Sequence, residues 1–208
     1  MALTGLYLFA WILGHMAGNL KAFQGEEKFD AYAEFLRTVG EPIFATGQLL
    51  WINRILLLLA VGLHILAAVR LALQARAARP VSYRRPVHLE DTYASRTMRW
   101  GGVILLVFVI YHLLHLTVGT VHQSFEPGAP YHNLVAGFQF PLVALVYAIA
   151  ITALGFHLYH GIRSGLQTLG VNHHKINPVR RAVSAVFAVV IVVGFLSVPI
   201  GVLAGVIA

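Results

Sequence analysis

Histidines inside apolar segments are the residues of this 208-residue chain whose type and spacing could support chemistry. An imidazole in hydrocarbon must find a partner, because an unpaired polar group there costs several kcal/mol. A single such residue is ordinarily hydrogen-bonded to a neighbouring helix, but histidines in four consecutive apolar runs indicate a function. The histidines in question are His15, His64, His112, His115, His157 and His160.

The runs that carry these histidines have the length of membrane-spanning helices. Only 11% of the residues are charged and 58% are hydrophobic, whereas about a quarter of a typical soluble domain is charged. A bilayer core of about 30 Å needs about 20 helical residues. Five runs qualify, at residues 2–20, 49–73, 100–122, 140–163 and 182–208. We therefore predict an all-α integral membrane protein, one domain over 1–208 with five transmembrane helices.

The charged residues predict how these helices are oriented. Seven basic residues lie at 70–99 and four at 163–181, which together make eleven of the fifteen Lys and Arg residues. The positive-inside rule then places the N-terminus in the cytoplasm and the C-terminus outside, and we expect a multi-pass protein of the bacterial inner membrane. The net charge of +7 reflects this asymmetry and attraction to anionic lipid, so nucleic acid is not an expected partner.

The chain contains no cysteine. This excludes thiolate-ligated iron–sulfur clusters, covalent c-type haem attachment and disulfides within it. Any iron–sulfur chemistry would have to belong to a partner subunit.

Depth in the bilayer sorts four of the histidines into two pairs. At 1.5 Å per residue, His15 and His112 lie about 18–20 Å from the inner face, and His64 and His157 about 5–10 Å from it. Two stacked haems need this arrangement, with each iron held axially by imidazoles from two facing helices. The sequence thus predicts a helical bundle around two b-type haems, with these four histidines as the metal ligands.

Three more polar residues lie near these pairs along the predicted helices. His115 would lie about a turn outside His112, His160 close to the inner headgroups, and Arg163 a turn beyond His160. We interpret them as cofactor-binding groups around the haems and their propionates. For the two histidines, the alternatives are interfacial side chains or true iron ligands; for Arg163, the alternative is a helix-end anchor.

Glycines accompany the histidines in three of the runs. Small residues allow close approach of a neighbouring helix or of a flat macrocycle, and ordinary helix packing is the alternative interpretation. The glycines are Gly14, Gly18, Gly62, Gly155 and Gly161.

Together, these features resemble the di-haem cytochrome b membrane anchor of succinate dehydrogenase (succinate:quinone oxidoreductase) and fumarate reductase, of the single-chain five-helix type. The motifs are "LTGLYLFAWILGHMAGNL", "GLHILAAVRLAL", "FVIYHLLHLT" and "LGFHLYHGIRSGLQTLG". The last is the most specific, and it selects His157 rather than His160 as a ligand. "IYHLL" similarly selects His112 rather than His115.

The resemblance implies a role in respiratory complex II and the tricarboxylic acid cycle. The chain would anchor an iron–sulfur subunit and a FAD-binding flavoprotein on the cytoplasmic face and carry electrons through two haem b to membrane quinone, which we expect to be menaquinone. Succinate chemistry would belong to the partners, although part of the quinone site would lie in this chain. Family members usually carry a cytoplasmic segment before the first helix, whereas Met1 lies almost at the membrane. We expect docking to use the arginine-rich loop and "GVNHHKINPVRR".

Candidates for the quinone site lie in the outer segment before the second run. Glu34, Glu41 and Arg54 could handle protons or quinone there, and solvated loop side chains are the alternative. The stretch "EEKFDAYAEFLRTV" places Phe29, Tyr32, Ala33 and Leu36 on one helical face. It predicts a short surface helix that either covers the quinone entrance or only caps the bundle.

Two other function classes would also use histidines in membrane helices. One is the cytochrome b anchor of another quinone-linked oxidoreductase, such as a hydrogenase. The other is a transporter with a histidine relay for protons or metal ions. A relay would be expected to place acidic residues among the histidines, and no Asp or Glu lies deep in any of the five runs.

Overall fold

The computed structural model describes residues 1–78 and 93–208, and within them the chain is helical with no β-strand. The helices are α1 (Ala2–Asn19), α2 (Glu26–Thr38), α3 (Gln48–Ala77), α4 (Tyr93–His112), α5 (Pro130–Phe138), α6 (Pro141–Thr168) and α7 (Asn177–Leu203). A 3₁₀ turn, Leu20–Gln24, follows α1, and a π-helical turn, Leu113–Val118, extends α4.

Four helices among the described residues are long and apolar enough to cross a membrane. They are Gln48–Ala77, Thr97–Val118, Pro141–Thr168 and Asn177–Leu203. The prediction of an all-helical membrane protein is therefore confirmed. The remaining predicted span, 2–20, forms α1, whose 18 residues reach about 27 Å and include the polar His15 and Asn19. Length and composition thus support four of the five predicted spans, and α1 falls just short.

The helices do not end where the apolar runs end. Helix α7 begins at Asn177 rather than 182, because Pro178 suits a first helical turn. It ends at Leu203 rather than 208, just before Gly205 with φ of +70°. The other long helices also continue past the predicted boundaries, since arginine and other unbranched polar residues favour helix outside the hydrocarbon.

Helix α6 lies at the centre of the bundle and packs against α1, α4, α5 and α7. Its contact with α7 is close, because a Cβ on Gly155 would lie only 2.5 Å from Val192 Cγ2. Helix α3 lies at the periphery, and Ala60 is its only buried residue. The core of the protein is thus centred on α6 and α7.

Two short helices cap one end of the bundle. Helix α5 was not predicted, yet most of its residues are buried, and α2 packs on it. The carboxylate of Asp30 accepts the Tyr131 backbone N–H at 3.0 Å, and the Phe29 and Tyr131 rings lie 5.8 Å apart. The Tyr131 hydroxyl donates to the Ala208 carbonyl at 3.1 Å. We call this end of the bundle the outer end, and the end that holds Met1 the inner end.

Candidate functional site

The structure brings His15 of α1 and His112 of α4 together, and we call them the outer pair. Their ring centroids lie 5.9 Å apart with an interplanar angle of 79°. Trp11, one turn before His15, stacks on its ring at 4.7 Å. Asn19, one turn after, donates from Nδ2 to the His15 carbonyl at 2.8 Å and lies 3.4 Å from the ring Nε2. The His15 ring is therefore held on its own helix from both sides.

Tyr147 of α6 joins the outer pair to His115. Its hydroxyl lies 3.2 Å from His112 Nδ1 and 3.0 Å from His115 Nδ1. His115 is 2% exposed and lies between the rings of Tyr111 and His122, with centroids at 5.5 and 4.7 Å. His115 thus surrounds the outer pair through Tyr147, which sequence reasoning did not single out.

His64 of α3 and His157 of α6 form the inner pair, with ring centroids 6.3 Å apart. Thr4 Oγ1 lies 3.1 Å from His64 Nδ1 and donates its hydrogen to the Met1 carbonyl at 3.0 Å. A hydroxyl has one hydrogen, so the Thr4 oxygen accepts from Nδ1–H of His64. This tautomer leaves the His64 Nε2 lone pair available to a metal.

His157 lies beside an apolar cleft of about 270 Å³ between α4 and α6, with Trp100, Ile104, Ile149 and Phe156 among the lining residues. The His157 Nδ1 atom is buried and has no hydrogen-bond partner in the part of the chain that the structure describes. An unsatisfied buried nitrogen costs about 1–3 kcal/mol. This cost, together with the apolar cleft, indicates a site that a ligand completes.

The two pairs occupy different depths. Tyr147 and His157 are ten residues apart on α6, which corresponds to about 15 Å along the helix axis. On α1, Thr4 and His15 are eleven residues apart and give about 16 Å. The outer and inner pairs therefore form two separate sites, one above the other.

The residues of both pairs fit a haem better than a bare metal ion. Within residues 1–78 and 93–208 no group of three or more His, Cys, Asp or Glu is placed to hold a metal, whereas protein zinc sites use three or four protein ligands. Two imidazole nitrogens at about 2.0–2.1 Å from a shared metal would lie about 4 Å apart, which suits the observed ring separations. A Cβ added to Gly14, Gly62 or Gly161 would meet no atom within 4 Å. Open space is thus present near both pairs, whereas Gly155 and Gly18 pack against Val192 and Tyr32.

His160 and Arg163 lie one and two turns beyond His157 on α6, toward the inner end. His160 is half-buried, and the Arg163 side chain is buried at 7% exposure. A helix-end anchor would be expected to reach water, so burial favours an interior role for Arg163. Arg180 of α7 is also buried, and its Nη1 donates to the Val171 carbonyl at 3.0 Å.

The three quinone-site candidates make local contacts. Glu34 pairs with Arg37 at 3.0 Å on the exposed face of α2, and Glu41 accepts a hydrogen bond from the Thr46 hydroxyl. The Arg54 guanidinium lies over Trp51, 4.8 Å from the ring centroid. None of these described contacts involves an outer histidine, so their assignment to a quinone site stays a prediction.

Sequence reasoning missed Thr4, Trp11 and Tyr147, whose side chains contact the paired histidines. For Tyr147 a signal exists, because a tyrosine in an apolar run near the depth of His112 needs a hydrogen-bond partner. Trp11 offers a weaker signal in its i, i+4 spacing to His15. Nothing in the sequence marks Thr4, since its contact depends on how α1 and α3 are rotated.

Comparison with known proteins gives one match. No curated protein and no solved structure shows significant similarity to the chain. Residues 75–197, more than half of the chain, match the family described as succinate dehydrogenase/fumarate reductase transmembrane subunit. The matched region includes His112 and His157 and begins after His15 and His64. The chain therefore belongs to the succinate dehydrogenase/fumarate reductase transmembrane subunit family.

Proposed function

We propose that the chain is the membrane anchor and electron-transfer subunit of a respiratory complex II, holding two haem b between the iron–sulfur subunit and membrane quinone. The observation that carries this proposal is the pairing of histidines from facing helices at two depths, with ring centroids at 5.9 and 6.3 Å. Membership of the succinate dehydrogenase/fumarate reductase family supports the identity of the partners.

The ligands in this proposal are His15 with His112 in the outer half and His64 with His157 in the inner half. A haem bound between such a pair supplies reversible one-electron chemistry at iron. The chain's own contribution is to orient the imidazoles and exclude water. Thr4 fixes the tautomer of His64, and the apolar walls of the inner cleft keep the site in a low-dielectric environment.

Three further residues would complete the binding of the two haems. His115, His160 and Arg163 are proposed to contact the haems or their propionates, as the buried guanidinium of Arg163 would suit a carboxylate. This assignment is separable from the proposed ligand set, because loss of any one of the three would leave both histidine pairs intact.

The orientation of the chain follows from the charges at its two ends. The described basic residues of the inner end include Arg70, Arg76, Arg99, Lys175 and Arg181, whereas the outer end is rich in acidic residues. The positive-inside rule assigns the inner end and the N-terminus to the cytoplasm of a bacterial inner membrane, with the C-terminus outside. Basic inner loops suit docking of the iron–sulfur and FAD-binding subunits by charge complementarity.

Quinone, which we expect to be menaquinone, would exchange electrons with the outer haem. Glu34, Glu41 and Arg54 stay the candidates on that side of the membrane. The family match favours succinate and fumarate partners over a hydrogenase-type complex. Facing pairs without membrane-embedded acids favour haem ligation over a proton or metal relay.

Haem content of the purified complex tests the proposal. We expect a pyridine haemochrome assay to give two haem b per chain, and a dithionite-reduced minus oxidised spectrum to show both as b-type. His173→Ala, in the exposed connection between α6 and α7, is the matched control and should keep both. A stable complex that contains the chain but no haem would overturn the proposal.

A further inference from the structure

The Tyr147 side chain is held rigidly at the centre of the outer cluster. It is 5% exposed, and the rings of Phe108 and Phe138 pack edge-on against it with centroids 4.9 and 4.8 Å away. Its hydroxyl contacts His112 Nδ1 at 3.2 Å and His115 Nδ1 at 3.0 Å. Because the phenol ring is fixed, the hydroxyl is held between these two imidazoles.

His115 is equally constrained on the far side of Tyr147. A Cβ added to Gly137 would lie 2.8 Å from His115 Cε1, so α5 leaves the ring no room to move. His122, stacked on His115, accepts the Ser124 N–H at Nδ1 and donates from Nε2 to the Asn133 carbonyl. The neighbour of His115 is thus itself fixed in one tautomer.

Counting hydrogens assigns the direction of both bonds to Tyr147. A phenol has one hydrogen, so at least one of the two imidazoles must donate from Nδ1. If His112 binds iron through Nε2, its neutral ring carries the hydrogen on Nδ1 and donates it to the Tyr147 oxygen. The Tyr147 hydrogen is then available to His115 Nδ1. Ligation by His112 therefore selects one arrangement, with a hydrogen-bond chain that runs from His112 through Tyr147 to His115.

We propose that Tyr147 is a positioning residue for the outer haem, orienting His112 and increasing its electron donation through the Nδ1–H bond. This inference rests on the proposed function. A partner that accepts the second N–H of a ligating histidine fixes its tautomer and raises its basicity. Donation by Tyr147 to His115 strengthens the first bond, because consecutive hydrogen bonds polarise one another.

Redox titration of Tyr147→Phe in the purified complex tests the inference. Loss of the acceptor makes His112 a weaker electron donor, so we expect the midpoint potential of the outer haem to rise and its low-spin EPR signal to shift. The outer haem is assigned as the component that His112→Ala lacks, and the inner haem should be unchanged. Tyr131→Phe, which removes a buried hydroxyl at the outer end that bonds to a backbone carbonyl, should leave both potentials unchanged.

His115→Leu provides the second variant, in case Tyr147→Phe fails to retain the outer haem. It preserves the Tyr147 acceptor but removes the acceptor for the Tyr147 hydrogen, so we expect a smaller rise in the same potential. Unchanged potential and EPR signal of the outer haem in the variants that retain it would overturn the inference and leave the proposed function standing. A wild-type complex without haem would overturn the proposed function itself.

Discussion

The outer and inner histidine pairs have similar ring separations but different surroundings. In the outer pair, His15 lies between Trp11 and Asn19, and His112 shares Tyr147 with a buried second histidine. In the inner pair, Thr4 is the described hydrogen-bond partner of His64, and His157 faces an apolar cleft. The same ligand type is therefore placed once in a polar, aromatic cluster and once in an apolar cleft. Substitutions around the two pairs should affect one site and spare the other.

Filling the inner cleft should have the largest effect. Ala153 of α6 lines the cleft beside His157, and Ala153→Trp would place an indole where the cleft is now open. We expect loss of the inner haem with retention of the outer one, measured as a fall from two haems to one per chain. Leu145→Trp, on an exposed face of the same helix, should keep both. Retention of two haems in Ala153→Trp would show that the cleft is not part of the haem site.

Removing the hydroxyl of Thr4 should weaken the inner site without destroying it. Thr4→Val preserves shape but leaves His64 Nδ1–H without its acceptor, so the ring tautomer is no longer fixed. Loss of such a partner typically costs 10–100-fold in metal affinity, and we expect about a 10-fold faster loss of the inner haem to an apo-haemoprotein acceptor. Thr168→Val, whose hydroxyl donates within its own helix, is the control. Equal loss rates in both variants would contradict a role for Thr4.

Crowding the outer cluster should have a smaller effect, confined to the outer site. Gly137→Val would place side-chain atoms against His115 and His122, and overpacking of this kind typically costs about 1–3 kcal/mol. We expect lower thermal stability and a perturbed outer-haem spectrum, with the inner haem unchanged. Gly165→Ala, where an added Cβ meets no atom within 4 Å, should show neither change. A perturbed inner haem in Gly137→Val would contradict the independence of the two sites.

The helical membrane fold and the placement of the histidines could be predicted because apolar runs and helical rise depend on local sequence. Helix ends could not, since hydropathy marks the hydrocarbon whereas propensity and capping decide where α7 begins and ends. Helix α5 was missed because nine residues with a proline at the start resemble a loop before the next run. The contacts of Thr4 and Tyr147 could not be predicted, because they depend on the rotation of whole helices about their axes.

The pairing of ligands across helices is the central claim, and resolving which haem each histidine variant loses tests it most directly. Low-temperature optical spectra and redox titrations of the purified complex distinguish two b haems if their environments differ as the structure indicates. We predict that His15→Ala and His112→Ala lose the same component, that His64→Ala and His157→Ala lose the other, and that each double variant within a pair loses no more than its single variants. Loss of different components by His15→Ala and His112→Ala, in complexes that remain assembled, would contradict the account.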